Sequence, residues 1–113
     1  IGLLPDQVPS NGEGGWINFF SRPAYTMTLS GRLAQSSGAA VVLAYAERLP
    51  QGRGYAMRIE PLPLDFEQSV PLQINAALER VITTAPAQYL WSYNRYKVPS
   101  GVQPPPEQQE KSC

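Results

Sequence analysis

Residues 38–46 have the sequence GAAVVLAYA, and this apolar stretch decides the predicted fold. Eight consecutive apolar residues leave neither face of a strand polar, which is typical of a strand buried in the middle of a sheet. Gly38 is suited to the left-handed conformation that ends many helices. We therefore predict a helix that begins at Thr26 or Thr28 and ends near Ser37, followed directly by the buried strand.

The chain after this strand predicts a hairpin and a second helix. Pro50–Gly54 is rich in turn residues, and the alternating pattern of Tyr55–Pro61 is typical of a return strand. Beyond a polar linker, Val70 or Pro71 opens a helix whose apolar residues recur at helical spacing, and Pro86 ends it. Strands that alternate with helices in this way predict the α/β class.

The chain before the first helix predicts a strand end, a loop and an extended segment. Ile1–Leu4 is apolar and stops at Pro5, so we interpret it as the end of a buried strand. The loop that follows is rich in proline, asparagine and glycine. Trp16–Phe20 is aromatic and extended, and we expect residues 22–24 to turn the chain toward the helix.

The composition argues against several classes of function. Nine basic and nine acidic residues give a formal net charge of zero, so we predict no nucleic-acid partner, which would require a basic excess. The longest apolar run is far shorter than the roughly 20 residues of a membrane-spanning helix. With no histidine and a single cysteine, the sequence predicts no metal site, no intrachain disulfide and no cofactor.

Three stretches occur in order along the chain: LLPDQ at residues 3–7, FFSRPAYT at 19–26 and PAQYLWSYNRYK at 86–97. Between them, RLA at 32–34 and SGAAVV at 37–42 mark the step from helix to strand. In this order and spacing they resemble the bacterial lipid A biosynthesis acyltransferases, which are the lauroyl and myristoyl transferases of lipopolysaccharide assembly.

The resemblance extends over residues 1–98 and implies the C-terminal part of a glycerolipid-acyltransferase-like fold, a mixed sheet flanked by helices. Such an enzyme moves an acyl chain from acyl carrier protein, or from acyl-CoA, to a hydroxyl of a lipid A precursor at the cytoplasmic face of the bacterial inner membrane. Its catalytic histidine, followed after four residues by an acidic residue, lies N-terminal to the matching stretches. Since this chain has no histidine, we expect an inactive fragment of the enzyme. Residues 99–113 are rich in Pro, Gln and Glu, and we expect a disordered tail.

The first stretch contributes two candidate site residues. By resemblance, Asp6 and Gln7 belong to a loop beside the acceptor, where Asp6 would support the catalytic pair and Gln7 would contact the substrate. Asp6 also fits an Asx turn after Pro5. The glycines within residues 11–15 are suited to present N–H groups to a phosphate, and they are equally ordinary loop residues.

The second stretch contributes two candidates for substrate binding. Phe20 fits the wall of an acyl channel, because each buried methylene of an acyl chain is worth about 0.8 kcal/mol. It fits an ordinary core equally well. Thr26 matches the family's Pro-Ala-x-Thr pattern and is a candidate substrate contact, and it also fits a helix cap.

The third stretch corresponds to the family's C-terminal signature and contributes Arg95 and Lys97 as candidate substrate-binding residues. A guanidinium held by aromatic side chains binds a phosphate or carboxylate through two hydrogen bonds. A structural ion pair of Arg95 with Asp6 or Glu79 explains the same residue. The nearby Trp91 is typical of a core or of a membrane interface.

A different class of function also fits the sequence. The chain would then be a small stand-alone α/β module that binds a ligand or a membrane surface without catalysis. The aromatic third stretch would form its ligand platform. A membrane-surface protein of this kind usually has a basic amphipathic helix, and the second predicted helix is not basic enough for that role.

Overall fold

The computed structural model describes residues 1–105, which form two small sheets and two helices. The predicted α/β class is confirmed. In chain order the elements are β1 (Gly14–Phe19), β2 (Arg22–Met27), α1 (Leu29–Ser37), β3 (Val42–Arg48), β4 (Tyr55–Pro61) and α2 (Val70–Thr84), with short 3₁₀ turns at Pro50–Gly52 and Pro86–Gln88. Within residues 1–105 the strands of the predicted mixed sheet form two separate antiparallel pairs, because short turns join strands that are consecutive in sequence.

The β1–β2 hairpin reverses direction through a two-residue turn at Phe20 and Ser21. Phe19 pairs with Arg22, and both turn residues have positive φ angles, 49° and 61°, as in a type I′ turn. The turn predicted at residues 22–24 is therefore wrong, since these residues belong to β2. The proline among them is tolerated because both strands of a two-stranded sheet are edges.

The β3–β4 hairpin confirms the predicted turn and return strand but differs in burial. Ala44 pairs with Ile59, and a 3₁₀ turn occupies the predicted reversal. Leu43 is 9% exposed on the inner face, whereas Val42 is 57% exposed on the outer face. The prediction that this strand is buried on both faces is wrong for the described residues, because β4 is its only strand partner there and the outer face is open.

The two helices begin and end largely as the sequence indicates. Thr28 is the N-cap of α1, although its side chain does not accept a hydrogen bond from the helix backbone. Gly38 ends α1 with φ 67°, as predicted, and its N–H donates to the Ala34 carbonyl at 3.1 Å. Ser69 caps α2 and accepts a hydrogen bond from the Leu72 N–H at 3.4 Å. No helix within residues 1–105 is long and apolar enough to span a membrane.

The core lies between α2 and the β1–β2 hairpin. The apolar stripe of α2 buries Ile74, Ala77 and Ile82, which confirms the helical spacing seen in the sequence. Phe19 and Ala24 pack against this stripe and are 2% and 0% exposed. The hairpin is therefore fixed on the helix, and its turn is held in one place.

The two ends of the described chain lie outside both sheets. Ile1–Leu4 forms no strand and is exposed, so the predicted buried strand end is wrong for the described chain, where no strand pairs with it. In the predicted tail, residues 99–105 contact the first loop and β1: the Asn11 side-chain amide donates to the Gly101 carbonyl at 3.4 Å, and the Trp16 indole N–H donates to the Gln103 carbonyl at 3.0 Å. We predicted disorder for residues 99–113, whereas residues 99–105 make these contacts. The rest of the predicted tail, residues 106–113, lies outside the described residues.

Candidate functional site

A pocket of ≈320 Å³ opens between the β1–β2 turn and the aromatic segment that follows α2. Its walls are mainly aromatic rings in contact with one another. The ring centroids of Phe19 and Phe20 are 4.8 Å apart, those of Phe20 and Trp91 6.4 Å, and those of Tyr89 and Trp91 4.7 Å. The lining residues are Phe19, Phe20, Tyr89, Trp91, Ser92, Tyr93, Asn94, Arg95 and Tyr96. A pocket of this size and lining suits an apolar chain.

Phe20 occupies the turn beside this pocket in a strained conformation. Its φ of 49° lies in the left-handed region, which costs a residue with a side chain about 1–2 kcal/mol. The carboxylate of Glu79 on α2 accepts a hydrogen bond from the Phe20 N–H at 2.5 Å and stabilises the turn. Phe20 nevertheless stays 38% exposed. The predicted wall residue thus lines the pocket, and it is not buried in the core.

Arg95 lies beneath the pocket and is only 3% exposed. Its Nη1 donates to the Tyr25 carbonyl at 2.7 Å, and its Nη2 donates to the Thr26 hydroxyl at 2.9 Å. Burial lowers the pKa of Arg95, while the neighbouring Tyr89 and, more weakly, Asp6 oppose that shift. The guanidinium also lies 5.5 Å from the centre of the Phe19 ring, a cation–π contact.

Neither structural ion pair considered for Arg95 is present among residues 1–105. The two salt bridges there join Arg58 to Glu47 and Arg80 to Glu60. Glu79 is engaged by the backbone of the β1–β2 turn instead. Arg95 is therefore a buried cation that is held by a carbonyl and a hydroxyl.

Thr26 joins Arg95 to α2 through a buried asparagine that the sequence analysis missed. Thr26 is 1% exposed, and its hydroxyl donates to the Ala24 carbonyl at 3.0 Å while accepting from Arg95. Asn75 is 0% exposed, and its Nδ2 donates to that hydroxyl at 3.1 Å and to the Asn18 carbonyl at 3.2 Å. The cap interpretation of Thr26 is wrong, since the N-cap of α1 is Thr28. In the sequence, the feature that could have indicated Asn75 is a polar residue next to Ile74, on the apolar stripe of the helix.

This buried network is not fully satisfied. The Nε of Arg95 and the Oδ1 of Asn75 are buried, and neither has a hydrogen-bond partner within residues 1–105. A buried polar group without a partner costs about 1–3 kcal/mol. The network therefore does not maximise stability, and its effect is to fix Arg95 and the aromatic segment on the hairpin.

The Asp6 loop lies against the same aromatic segment. The Val8 N–H donates to the Tyr93 hydroxyl at 2.8 Å. Burial raises the pKa of Tyr89, and the charge of the half-buried Asp6 carboxylate raises it further. Gln7 and Lys97 are exposed. The structure thus brings Asp6, Phe20, Thr26 and Arg95 into one region and leaves the Gln7 and Lys97 side chains at the surface.

Tyr96 closes the pocket on the side of β1. Its hydroxyl donates to the Phe19 carbonyl at 2.6 Å, and the Arg22 guanidinium lies 4.2 Å from its ring centre. Burial raises the pKa of Tyr96, and the cations of Arg22 and Arg95 lower it to a lesser extent. The aromatic segment is therefore attached to the hairpin at both Arg95 and Tyr96.

The glycines of the first loop have structural contacts. The Gly12 N–H donates to the Tyr25 hydroxyl at 3.3 Å, and the Glu13 N–H donates to the Ser10 carbonyl at 3.0 Å. A Cβ atom on Gly14 would lie 2.6 Å from the Thr26 carbonyl oxygen, so only glycine fits there. These contacts favour the loop interpretation over a phosphate site, because the N–H groups of Gly12 and Glu13 are already used.

Two comparisons with known proteins agree on one family. The family model described as "Bacterial lipid A biosynthesis acyltransferase" matches residues 1–98. The chain is also similar to the lipid A biosynthesis lauroyltransferase of Escherichia coli (strain K12), with 36% identity over 89 residues. That alignment covers 74% of this chain and 29% of the relative, so the chain spans less than a third of the curated relative that it matches.

Proposed function

Since the chain belongs to the bacterial lipid A biosynthesis acyltransferase family, we propose that it forms part of a protein that transfers a fatty acyl chain to a lipid A precursor. The acceptor group is a hydroxyl of that precursor. The donor is acyl carrier protein or acyl-CoA, and the product enters lipopolysaccharide biosynthesis. The reaction takes place at the cytoplasmic face of the inner membrane, where the acceptor lipid is embedded.

The general base of this reaction lies outside the chain in our proposal. The 113 residues contain no histidine, so the histidine and acidic residue of the family's catalytic motif are supplied elsewhere in the protein. We expect this chain alone to transfer no acyl group. Its contribution is to bind and orient the acyl chain and the acceptor.

The aromatic pocket is the observation that carries the proposal. Its volume of ≈320 Å³ and its lining by Phe19, Phe20 and Trp91 suit part of a fatty acyl chain. Each methylene that leaves water contributes about 0.8 kcal/mol. The strained and partly exposed Phe20 is the wall residue that we expect to contact the acyl chain.

The other predicted residues have different roles in the proposal. Arg95 and Thr26 are positioning residues, because both are almost fully covered by protein and hold the aromatic segment against the hairpin. Asp6 supports the catalytic pair from the loop beside Tyr89. Gln7 and Lys97 are exposed at the surface and contact the acceptor head group.

Acyl transfer by the full-length protein tests this proposal. We expect Phe20→Ala to lower kcat/KM about ten-fold or more for a long acyl donor, because lost wall contacts weaken binding of the chain. The matched control is Phe66→Ala, since Phe66 is 42% exposed and does not line the pocket. Equal kcat/KM values for the two variants would show that the pocket does not bind the acyl chain. Absence of acyl transfer by the unmodified full-length protein would refute the proposed function.

A further inference from the structure

A second cavity, of ≈160 Å³, lies between β3 and the C-terminal end of α2. Its lining includes Tyr45 on β3, Val81 and Ile82 on α2, and Ala85 directly after the helix. Tyr89 belongs to the lining of this cavity and also to that of the aromatic pocket, whose volume is ≈320 Å³. One side chain is therefore a wall that the two cavities share.

The ring of Tyr89 packs in the space between the two cavities. It contacts the core cluster of Phe19, Ala24 and Ile82. Phe19 lines the aromatic pocket and Ile82 lines the second cavity, so the ring borders one cavity on the Phe19 side and the other on the Ile82 side. The Tyr89 hydroxyl makes no hydrogen bond within residues 1–105. The volume of the ring, rather than a polar contact, is what separates the cavities.

The neighbours of Tyr89 hold it in place from both sides. The Gln88 side chain accepts a hydrogen bond from the Arg48 N–H at 2.8 Å and donates one to the Arg48 carbonyl at 3.0 Å, which attaches this part of the chain to β3. On the other side, the Trp91 N–H donates to the Tyr89 carbonyl at 2.9 Å, and the two rings meet edge to face with centroids 4.7 Å apart. Tyr89 is therefore a fixed wall.

The lining of the second cavity suits the end of an alkyl chain. Val81, Ile82 and Ala85 present hydrocarbon to it. A long apolar ligand gains about four-fold in affinity for each methylene that leaves water. Among the described lining residues only Glu47 is charged, and its carboxylate pairs with Arg58 at 2.8 Å. The lining therefore favours hydrocarbon over an anionic group.

We propose that Tyr89 sets the length of the acyl chain that the protein accepts, because its ring closes the aromatic pocket toward the second cavity. With the ring in place, the acyl chain ends within the ≈320 Å³ of the aromatic pocket. Without the ring, the ≈160 Å³ of the second cavity becomes available, and a longer chain fits. The inference rests on the proposed function, since it takes the aromatic pocket as the acyl site.

Acyl transfer by the full-length protein, measured with donors whose acyl chains lengthen by two carbons at a time, tests the inference. The unmodified protein defines the preferred length. In Tyr89→Ala, we expect the ratio of kcat/KM for the next longer donor to kcat/KM for the preferred donor to rise about ten-fold, because two more methylenes leave water. Tyr89→Leu opens the wall less and should change the ratio in the same direction, so it serves as the test if the alanine variant fails to fold.

Three further variants separate the effect of the wall from a general loss of packing. Tyr89→Phe keeps the ring and should keep the length preference. Val81→Phe, added to Tyr89→Ala, refills the second cavity and should return the preference to the original length. Tyr93→Ala removes a ring that lines the aromatic pocket but not the second cavity, so kcat/KM should fall for all donors without a change in the ratio.

An unchanged ratio in folded Tyr89→Ala or Tyr89→Leu would overturn the inference. A preference for the longer donor that persists after Val81→Phe is added, or that is equally strong in Tyr89→Phe, would also overturn it, because the volume of the ring would then not be the cause. In these cases a loss of kcat/KM in Phe20→Ala would still support the aromatic pocket as the acyl site, so the proposed function would stand. Absence of transfer by the unmodified protein would refute both. Circular dichroism of each variant checks that the fold is retained.

Discussion

The β1–β2 hairpin and the β3–β4 hairpin distribute polar and apolar side chains in opposite ways. The first buries Thr26 together with Asn75 and Arg95, and exposes the aromatic ring of its turn. The second keeps its ion pair between Arg58 and Glu47 at the surface and leaves its outer face apolar. A buried polar network is costly, so the first arrangement indicates a region selected for position rather than for stability. The candidate site lies in that region.

The largest expected effect comes from the buried cation. Arg95→Met should lower the free energy of unfolding by about 3 kcal/mol, because the buried Tyr25 carbonyl loses the Arg95 donor and the Thr26 hydroxyl loses one of its two donors. Arg58→Met, in the other hairpin, removes a cation that is 53% exposed and should cost less than about 1 kcal/mol. Urea denaturation of both variants measures the contrast. Similar losses would show that the two hairpins do not differ as described.

A smaller effect is expected from the tyrosine that ties the aromatic segment to β1. Tyr96→Phe removes the hydrogen bond to the Phe19 carbonyl and should cost about 1 kcal/mol near neutral pH. Tyr55→Phe on β4 is the control, since Tyr55 is 70% exposed and should change stability little.

Tyr96→Phe should also change how the free energy of unfolding declines at alkaline pH. Because the pKa of Tyr96 is raised in the folded state, its contribution is complete below the unfolded tyrosine pKa of about 10 and is lost as the pH rises through the folded value. Tyr96→Phe should therefore lose less stability than the unmodified chain as the pH rises above about 10. Urea midpoints across that range measure it, and an unchanged alkaline decline would contradict the role of Tyr96.

The smallest effect compares the turns of the two hairpins. Ser21 and Gln51 have φ angles of 61° and 58°, and glycine adopts this region without strain. Ser21→Gly and Gln51→Gly should each raise the free energy of unfolding by about 0.5 kcal/mol, after the entropy that glycine adds to the unfolded chain. Differential scanning calorimetry detects such shifts. A loss of stability in either variant would mean that the side chain makes a contact that outweighs the strain.

Much of the fold could be predicted because the signals are local. The spacing of Ile74, Ala77 and Ile82 identifies α2, Gly38 ends α1, and the turn residues of 50–54 mark the second hairpin. Each of these features depends on a few adjacent residues.

The first turn could not be predicted, because Phe20 and Ser21 are not residues that favour positive φ. Their conformation is imposed by contacts that arrive from α2. The proline at position 23 then drew the predicted turn two residues too late. Tertiary contacts therefore outweigh the local conformational preference of these two residues.

The candidate site was predicted in outline and missed in its interior. The resemblance singled out Asp6, Phe20 and Arg95; Phe20 and Arg95 line one pocket, and the loop that contains Asp6 contacts Tyr93 in its wall. Asn75 was missed, because one polar residue beside an apolar stripe does not reveal its partners. Buried hydrogen bonds between distant residues depend on the completed packing, which a single sequence does not display.

The bonds that attach the aromatic segment have a consequence for how the chain folds. Val8 and Tyr93 are separated by 85 residues, Trp16 and Gln103 by 87, and Tyr25 and Arg95 by 70. Contacts between residues so far apart in sequence close long loops, and proteins that rely on such contacts fold slowly. We expect α2 and the two hairpins to form early and the segment after α2 to dock last. Assembly of the pocket is then the last of these events, so a nascent chain would acquire this pocket only after the segment that follows α2 has been synthesised.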